Sequence, residues 1–224
     1  MEGKISAADH VPMSSMFHEM PKEKHRPTKT YDRAYFQRWY RDPKDRVSTR
    51  EGLERKVRMA VSIAEYVLCR RIRTVVDIGC GEAPWHAVLR RMRPEVRYIG
   101  IDSSEYAVER FGKSRNIRHG SLADIDRMRL PRDVDLVVCA DVLQYVDTRG
   151  VTRGLRAIRR ILGGVAYIES FTTEDAMEGD REGWHERSAA EYSRLFHGAG
   201  LTQCGPYCYV NLDGLEGLNE FEHW

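Results

Sequence analysis

The sequence predicts a doubly wound α/β fold, a mostly parallel sheet with helices on both faces. Three observations carry this. Residues 74–85 read Thr-Val-Val-Asp-Ile-Gly-Cys-Gly-Glu-Ala-Pro-Trp, a β-branched run that ends in a glycine loop and then a helix-opening proline. Strand-like and helix-like stretches alternate from there to residue 168. Residues 134–140 form a second run that is apolar on both faces, as a central parallel strand must be.

Length and composition set the bounds. The chain has 224 residues, 42% of them hydrophobic, enough for one core with extensions. Net charge is only +2 with 31% charged residues, so no field of one sign points to nucleic acid or a membrane surface. Glu65 splits the longest apolar stretch, and the amino terminus lacks an apolar signal core. Five cysteines, Cys69, Cys80, Cys139, Cys204 and Cys208, lack paired spacing and are expected to be small buried hydrophobes in a reducing cytoplasm, with no metal.

Residues 1–29 show no period and are expected to be mobile. Tyr31, Tyr35 and Trp39, with Phe36 and Tyr40 one step off, recur at helical spacing behind Thr30 or Asp32 as a cap. That aromatic face either packs as core or closes as a lid over a ligand. Ser48 and Glu51 form a capping box for the next helix, whose buried stripe runs through Leu53, Val57, Ala60, Val61, Ala64, Val67 and Leu68. Arg70, Arg71 and Arg73 are placed in its last turn, where cations offset the dipole. Residues 30–71 are therefore read as an N-terminal helical cap.

The glycine loop says where a ligand sits and of what kind. Gly79 and Gly81 allow positive φ and close approach to the main chain at the carboxyl end of the first strand. A dinucleotide fingerprint would place a third glycine at Pro84, so a nicotinamide oxidoreductase is disfavoured. Asp77 is poorly placed beside an anion and well placed beside a cation, such as the ammonium and sulfonium of S-adenosylmethionine. The stretch resembles motif I of the class I (Rossmann-like) S-adenosylmethionine-dependent methyltransferases, with Ala83 in place of the last glycine. Asp77, Gly79, Cys80 and Gly81 are then candidate cofactor contacts. The resemblance implies a seven-stranded sheet in the order 3-2-1-4-5-7-6 with one antiparallel strand, over a domain of residues 72–212.

Residues 85–92 read as a helix, and 96–101 as the second strand, ending in Asp102. An acid about 20 residues past a nucleotide loop can accept both ribose hydroxyls, which makes Asp102 the ribose ligand, with Ser103 beside it. Ser103 and Ser104 cap a helix over 105–111, and 112–115 read as a turn before a short third strand at 116–119. By the resemblance, Asp124 accepts from the adenine amine while the backbone of a neighbour, Ile125, reaches the ring. Strands one and four should be neighbours where the sheet order reverses, so Ala140, Asp141 and Tyr145 frame the cleft, with Gln144 toward the substrate. Methyltransferases acting on adenine N6 or glutamine amides carry an Asn/Asp-Pro-Pro-aromatic run at this loop; its absence argues against those substrates.

The helix over 147–162 bears Arg149, Arg153, Arg156, Arg159 and Arg160, read as a solvated face. Gly163 and Gly164 turn into a fifth strand, 165–168, with Glu169 at its end. Residues 172–187, polar and longer than an ordinary connection, suggest a substrate lid carrying Trp184 and His185. Ser188 and Glu191 box the last helix, strands at 201–204 and 207–211 close the sheet, and 213–224 is an acidic tail.

The expected function is S-adenosylmethionine-dependent methyl transfer to oxygen or nitrogen of a small aromatic or apolar molecule, of secondary-metabolite class, by a cytoplasmic monomer or homodimer. Positioning supplies most of the rate of such a displacement. If a base is used, His185 comes first and Glu169 second. The alternatives are an RNA or protein methyltransferase, supported only by the arginine face, and a non-catalytic protein that keeps the fold for binding.

Overall fold

The computed structural model describes residues 29–45, 49–176, 180–213, 218, 219, 222 and 223. The expected mobile segment 1–29, Lys29 apart, lies outside the described residues, as do Ser48 and most of the tail.

A single sheet organises the chain. Its strands are β1 (Thr74–Ile78), β2 (Arg97–Asp102), β3 (Ile117–His119), β4 (Val134–Ala140), β5 (Leu162–Glu169), β6 (Thr202–Gly205) and β7 (Cys208–Val210). The order is β3-β2-β1-β4-β5-β7-β6, all neighbours parallel except β7, which runs antiparallel to both β5 and β6. The predicted topology holds throughout. Because β1 pairs with β2 on one side and β4 on the other, the two chain directions diverge at the carboxyl ends of β1 and β4, where a crevice must open.

Alternation along the strands sorts the core into two layers. Val76, Ile78, Val137 and Ile168 face α5 (Thr148–Ile161) and α6 (Ala189–Gly198). Val75, Leu136, Val138 and Tyr167 face α2 (Arg50–Leu68), α3 (Pro84–Met92) and, with Tyr98, α4 (Glu105–Arg115). Thus α2 is part of a helical layer against the sheet, through Val57, Ala60, Val61 and Ala64. It opens at Thr49, whose hydroxyl accepts from Gly52 N. The aromatic segment is α1 (Arg33–Phe36) running into a π-helical turn, Gln37–Arg41, with Asp32 accepting from Tyr35 N as N-cap.

Several local expectations are corrected. Helix α4 continues through Gly112 to Arg115, because that glycine serves close approach: a Cβ there would stand 3.2 Å from Ile117 O. Gly163 and Gly164 lie inside β5, where a Cβ on Gly164 would come within 2.3 Å of Asp135 O; the glycines let β5 pass the start of β4, at a register irregularity. Helix α2 stops at Leu68 on a left-handed Cys69, so the basic cluster follows the helix. Cys69 is exposed and Cys204 half-buried, whereas Cys80, Cys139 and Cys208 are buried as expected. Among the described residues no helix is long and apolar enough to cross a membrane, and no group of three or more potential ligands is placed to hold a metal.

Asp135 ties the amino ends of β1 and β4 together. It is buried and accepts from Arg73 N at 2.5 Å, Thr74 N at 3.0 Å and the Arg70 guanidinium at 2.7 Å. Burial alone would raise its pKa, but these donors outweigh it and hold the carboxyl below its usual range. Its stabilisation is therefore present above the unfolded pKa of about 3.9 and lost as pH falls through the folded value. Asp135→Ala should lower the unfolding free energy by about 3 kcal/mol at neutral pH, since two amides lose a charged acceptor. The deficit should shrink in urea titrations below about pH 4; a pH-independent deficit would contradict the assignment.

Candidate active site

The crevice is a cavity of about 890 Å³, within the usual ~300–1,000 Å³ for small-molecule sites. Its floor is made of strand tips: Gly79 and Gly81 after β1, Asp102 and Ser103 at the end of β2, Gly120, Ser121 and Leu122 after β3, and Ala140, Asp141 and Val142 at the end of β4. Its roof is aromatic, with Tyr31, Tyr35, Phe36, Trp39 and Tyr40 from the amino-terminal turn, Tyr145 after β4, and Phe171 and Trp184 beyond β5.

The glycine loop adopts this course because its conformation admits little else. Gly79 and Gly81 have φ of 69° and 53°. A Cβ on Gly79 would meet Val142 Cγ2 at 2.2 Å, and one on Gly81 would meet Phe36 Cε1 at 2.9 Å. Ala83, where the family pattern has glycine, is also left-handed at φ 55°, at the N-cap of α3. The loop is pinned across the crevice: Gly79 N and Cys80 N donate to Ile101 O, and Gly81 N donates to Asp102 Oδ2 at 2.6 Å. The other oxygen of Asp102 accepts from Ser104 N at 2.8 Å. Each carboxylate oxygen keeps a further lone pair for a ligand hydroxyl. Burial raises the Asp102 pKa against these backbone donors.

Asp141 is the second acid on the floor. It has φ 60°, an uncommon conformation for a non-glycine residue, and its Oδ1 is buried with no partner. Burial first, then the Glu169 charge, push its pKa up to about 6, with Lys56 opposing. Such a carboxylate lacks a cation of its own. Glu169, by contrast, is satisfied: Lys56 Nζ donates to it at 2.6 and 2.8 Å and Tyr167 Oη at 2.8 Å.

The aromatic roof is continuous. Tyr35 meets Tyr31 edge-on at 5.0 Å, Tyr31 meets Tyr145 at 6.3 Å, Tyr145 meets Trp184 at 6.2 Å, and Trp184 stacks on Phe171 at 5.9 Å. Phe36 is buried over Gly81 and packs on Tyr106, so the aromatic turn serves both as core and as cover. Ser104 Oγ donates to Tyr31 O, and Arg41 pairs with Glu82. On the far side, buried Arg187 donates to Leu143 O at 3.0 Å and Val146 O at 2.6 Å, fixing the end of segment 172–187 against the loop after β4. Burial keeps the Tyr31, Tyr35 and Tyr145 phenols above their usual pKa, so they stay neutral near pH 7.

A family model described as a methyltransferase domain matches residues 75–163. Over those residues the chain has the doubly wound sheet of the Rossmann-like methyltransferase fold. Solved structures with this fold include a SAM-dependent methyltransferase from Archaeoglobus fulgidus, at 14% identity and TM-score 0.55 over 75% of this chain and 73% of that one. Streptomyces venezuelae DesVI matches at 17% identity and TM-score 0.53, over 70% and 92%. RosA, an N,N-8-amino-8-demethyl-D-riboflavin dimethyltransferase from Streptomyces davawensis, matches at 18% and 0.52, over 69% and 50%. At these identities the likeness is one of fold. The chain spans about half the length of several of its neighbours, among them 51% of LaPhzM and 48% of human N-acetylserotonin methyltransferase. No curated protein matches the chain significantly.

Of the sequence candidates, Gly79, Gly81, Asp102, Ser103, Ala140, Asp141 and Tyr145 line one cavity with Tyr31, Tyr35, Trp39, Gln144 and Trp184. Other sequence candidates lie outside its lining. Asp77 points into the α2–α3–α4 layer, where Tyr98 Oη donates to it at 2.6 Å, and Cys80 is buried against Gly100. Asp124 turns back to accept from Ser121 N at 3.0 Å, capping its own short turn, and Ile125 is buried in the core; Ser121 and Leu122 line the cavity at this tip. His185 is exposed, its backbone N held by Gln144 O at 2.7 Å. Lys56 and Asp180 also line the cavity, and no sequence signal marked them, since a lysine on a helix and an acid in a polar loop read as solvated.

Burial raises the Asp77 pKa to about 7, with the Tyr98 hydrogen bond opposing. A carboxyl with a folded pKa above its unfolded value of about 3.9 makes stability fall as pH rises between the two. Asp77→Asn, which keeps an acceptor for Tyr98, should make the protein more stable at pH 8 and the slope between pH 4 and 7 shallower in urea titrations. An unchanged slope would contradict the burial of this acid as the main cause.

Proposed function

We propose that the chain is an S-adenosylmethionine-dependent methyltransferase that transfers methyl to oxygen or nitrogen of a small molecule held under the aromatic roof. The observation that carries this reading is the pairing, across one cavity of about 890 Å³, of two strand-tip carboxylates suited to that donor: Asp102 with lone pairs left for hydroxyls, and Asp141 with an orphaned buried oxygen suited to a cation. The donor fits this set, bringing two ribose hydroxyls and a positive centre. Asp102 would hold the ribose, Ser121 and Leu122 the adenine end, and Asp141 the charged end, while Gly79 and Gly81 let the backbone approach. The bound donor supplies an electrophilic methyl group.

What the chain itself contributes is placement and dryness. Displacement at a methyl needs the nucleophile in line and about 3 Å away, so rings that fix a flat acceptor and exclude water supply most of the effect. Neutral tyrosines are poor bases, Glu169 is engaged by Lys56, and His185 is outside the lining, which leaves Asp141 and Asp180 as the lining acids not assigned to the ribose. The arginine face of α5 is partly occupied by backbone carbonyls of the segment after β3, Arg153 donating to Ala123 O and Arg160 to Asp126 O, which favours a small acceptor over RNA.

The direct test is release of S-adenosylhomocysteine across a panel of phenols, amines, carboxylates and RNA; turnover with RNA alone would overturn the small-molecule reading. Asp102→Ala should abolish S-adenosylhomocysteine binding in calorimetry while the thermal transition remains cooperative, and unchanged affinity would refute the ribose assignment. The Asp141 carboxylate ionises near pH 6, and only the methylated donor carries a sulfonium. The preference for S-adenosylmethionine over S-adenosylhomocysteine should therefore grow as pH rises from 5 to 7, and Asp141→Asn should flatten that growth. An equal rise in the variant would assign the effect elsewhere.

A further inference from the structure

Lys29 is held in a box built from the roof of the cavity. Its ammonium lies 5.5 Å from the Tyr31 ring centre, 5.2 Å from that of Tyr35 and 4.2 Å from that of Tyr145. It pairs with the Asp180 carboxylate and donates to Glu182 O at 3.3 Å. The Lys29 and Asp180 side chains are only 13% and 10% exposed, unlike a surface ion pair. Tyr145 Oη donates in turn to Asp180 O at 3.3 Å, so the box spans the amino-terminal turn, the loop after β4 and the segment 172–187. All three rings and Asp180 line the main cavity, so the ammonium stands at the edge of the space a ligand would use.

The chemistry of the box is specific. Aromatic faces attract any onium, but a carboxylate and a carbonyl oriented to receive N–H groups select an ammonium over a sulfonium, which has no proton to donate. A quaternary ammonium has neither N–H nor a lone pair and could not be methylated. Resting on the methyl-transfer reading above, we propose that Tyr31, Tyr35, Tyr145 and Asp180 form the acceptor subsite, that the acceptor is a primary or secondary amine, and that Lys29 fills the subsite until the amine displaces it.

In that subsite the bound ammonium passes one proton to the Asp180 carboxylate, which frees the nitrogen lone pair. The nitrogen forms its bond to the methyl carbon of the sulfonium donor as the carbon–sulfur bond breaks, and that electron pair stays on sulfur. The product is an N-methylammonium, and Asp180 releases its proton to water. Enclosure by rings favours the first step, because a low-dielectric site weakens the charged form of an amine.

The test is calorimetry on the full chain with benzylamine and benzyl alcohol, two probes of the same shape that differ in charge. Lys29→Gln removes the internal ammonium and should bind benzylamine at least about tenfold more tightly than the unaltered protein, a shift within reach of cation–π and ion-pair energies. Lys29→Arg, which keeps a cation, should show no gain. Adding Asp180→Asn to Lys29→Gln should remove the gain, and benzyl alcohol should be indifferent to all three. Equal affinity of Lys29→Gln for the two probes, or no gain for benzylamine, would overturn the proposal. S-adenosylhomocysteine titrated into the same samples separates the two readings. No binding counts against methyl transfer, whereas binding without amine selectivity counts against this subsite.

Discussion

The structure of the site depends on one carboxylate. Asp102, at the end of β2, accepts from Gly81 in the loop after β1 and from Ser104 at the start of α4, so a single buried acid fixes the relative position of two strand tips. Hydrogen bonds to a charged acceptor in a partly dry setting are among the stronger ones a protein makes. They oppose, without cancelling, the burial that raises the pKa of this acid. Asp102 is also among the residues that line the cavity, so the group that holds the loop borders the ligand space.

Around that anchor, packing leaves few alternatives. Gly79 and Gly81 have left-handed φ and no room for a side chain, one against Val142 and the other against Phe36. The second contact joins the amino-terminal aromatic turn to the glycine loop, so the roof is tied to the floor at the point where the chain passes from β1 to α3. Ser104 repeats the link by capping α4 and donating to Tyr31 O. Rigid strands thus carry the acids, and loops carry the rings, the usual division between scaffold and recognition.

Much of this was legible in the sequence. The β-branched runs gave β1 and β4, since strands buried on both faces leave no polar period, and the sheet order followed from the motif resemblance. Asp102 was legible because it closes a strand at nucleotide-fold spacing. The direction of other acids was not. Asp77 sits one residue from the end of β1, and pleat alternation sends it into the helical layer, toward Tyr98. Asp124 turns back because residues 122–124 form a tight turn whose N-cap, Ser121, needs an acceptor. Gly112, Gly163 and Gly164 looked like stops, yet they mark close approaches inside regular elements, a distinction that only the neighbours decide.

Acids at the tips of β2 and β4, on either side of β1, and the rings above them form one ligand site. The most direct measurement is a crystal structure with S-adenosylhomocysteine. The account predicts ribose hydroxyls within hydrogen-bond distance of the Asp102 carboxylate and the thioether sulfur between Asp141 and the aromatic roof. Ligand density away from the glycine loop, for instance along the arginine face of α5, would contradict it.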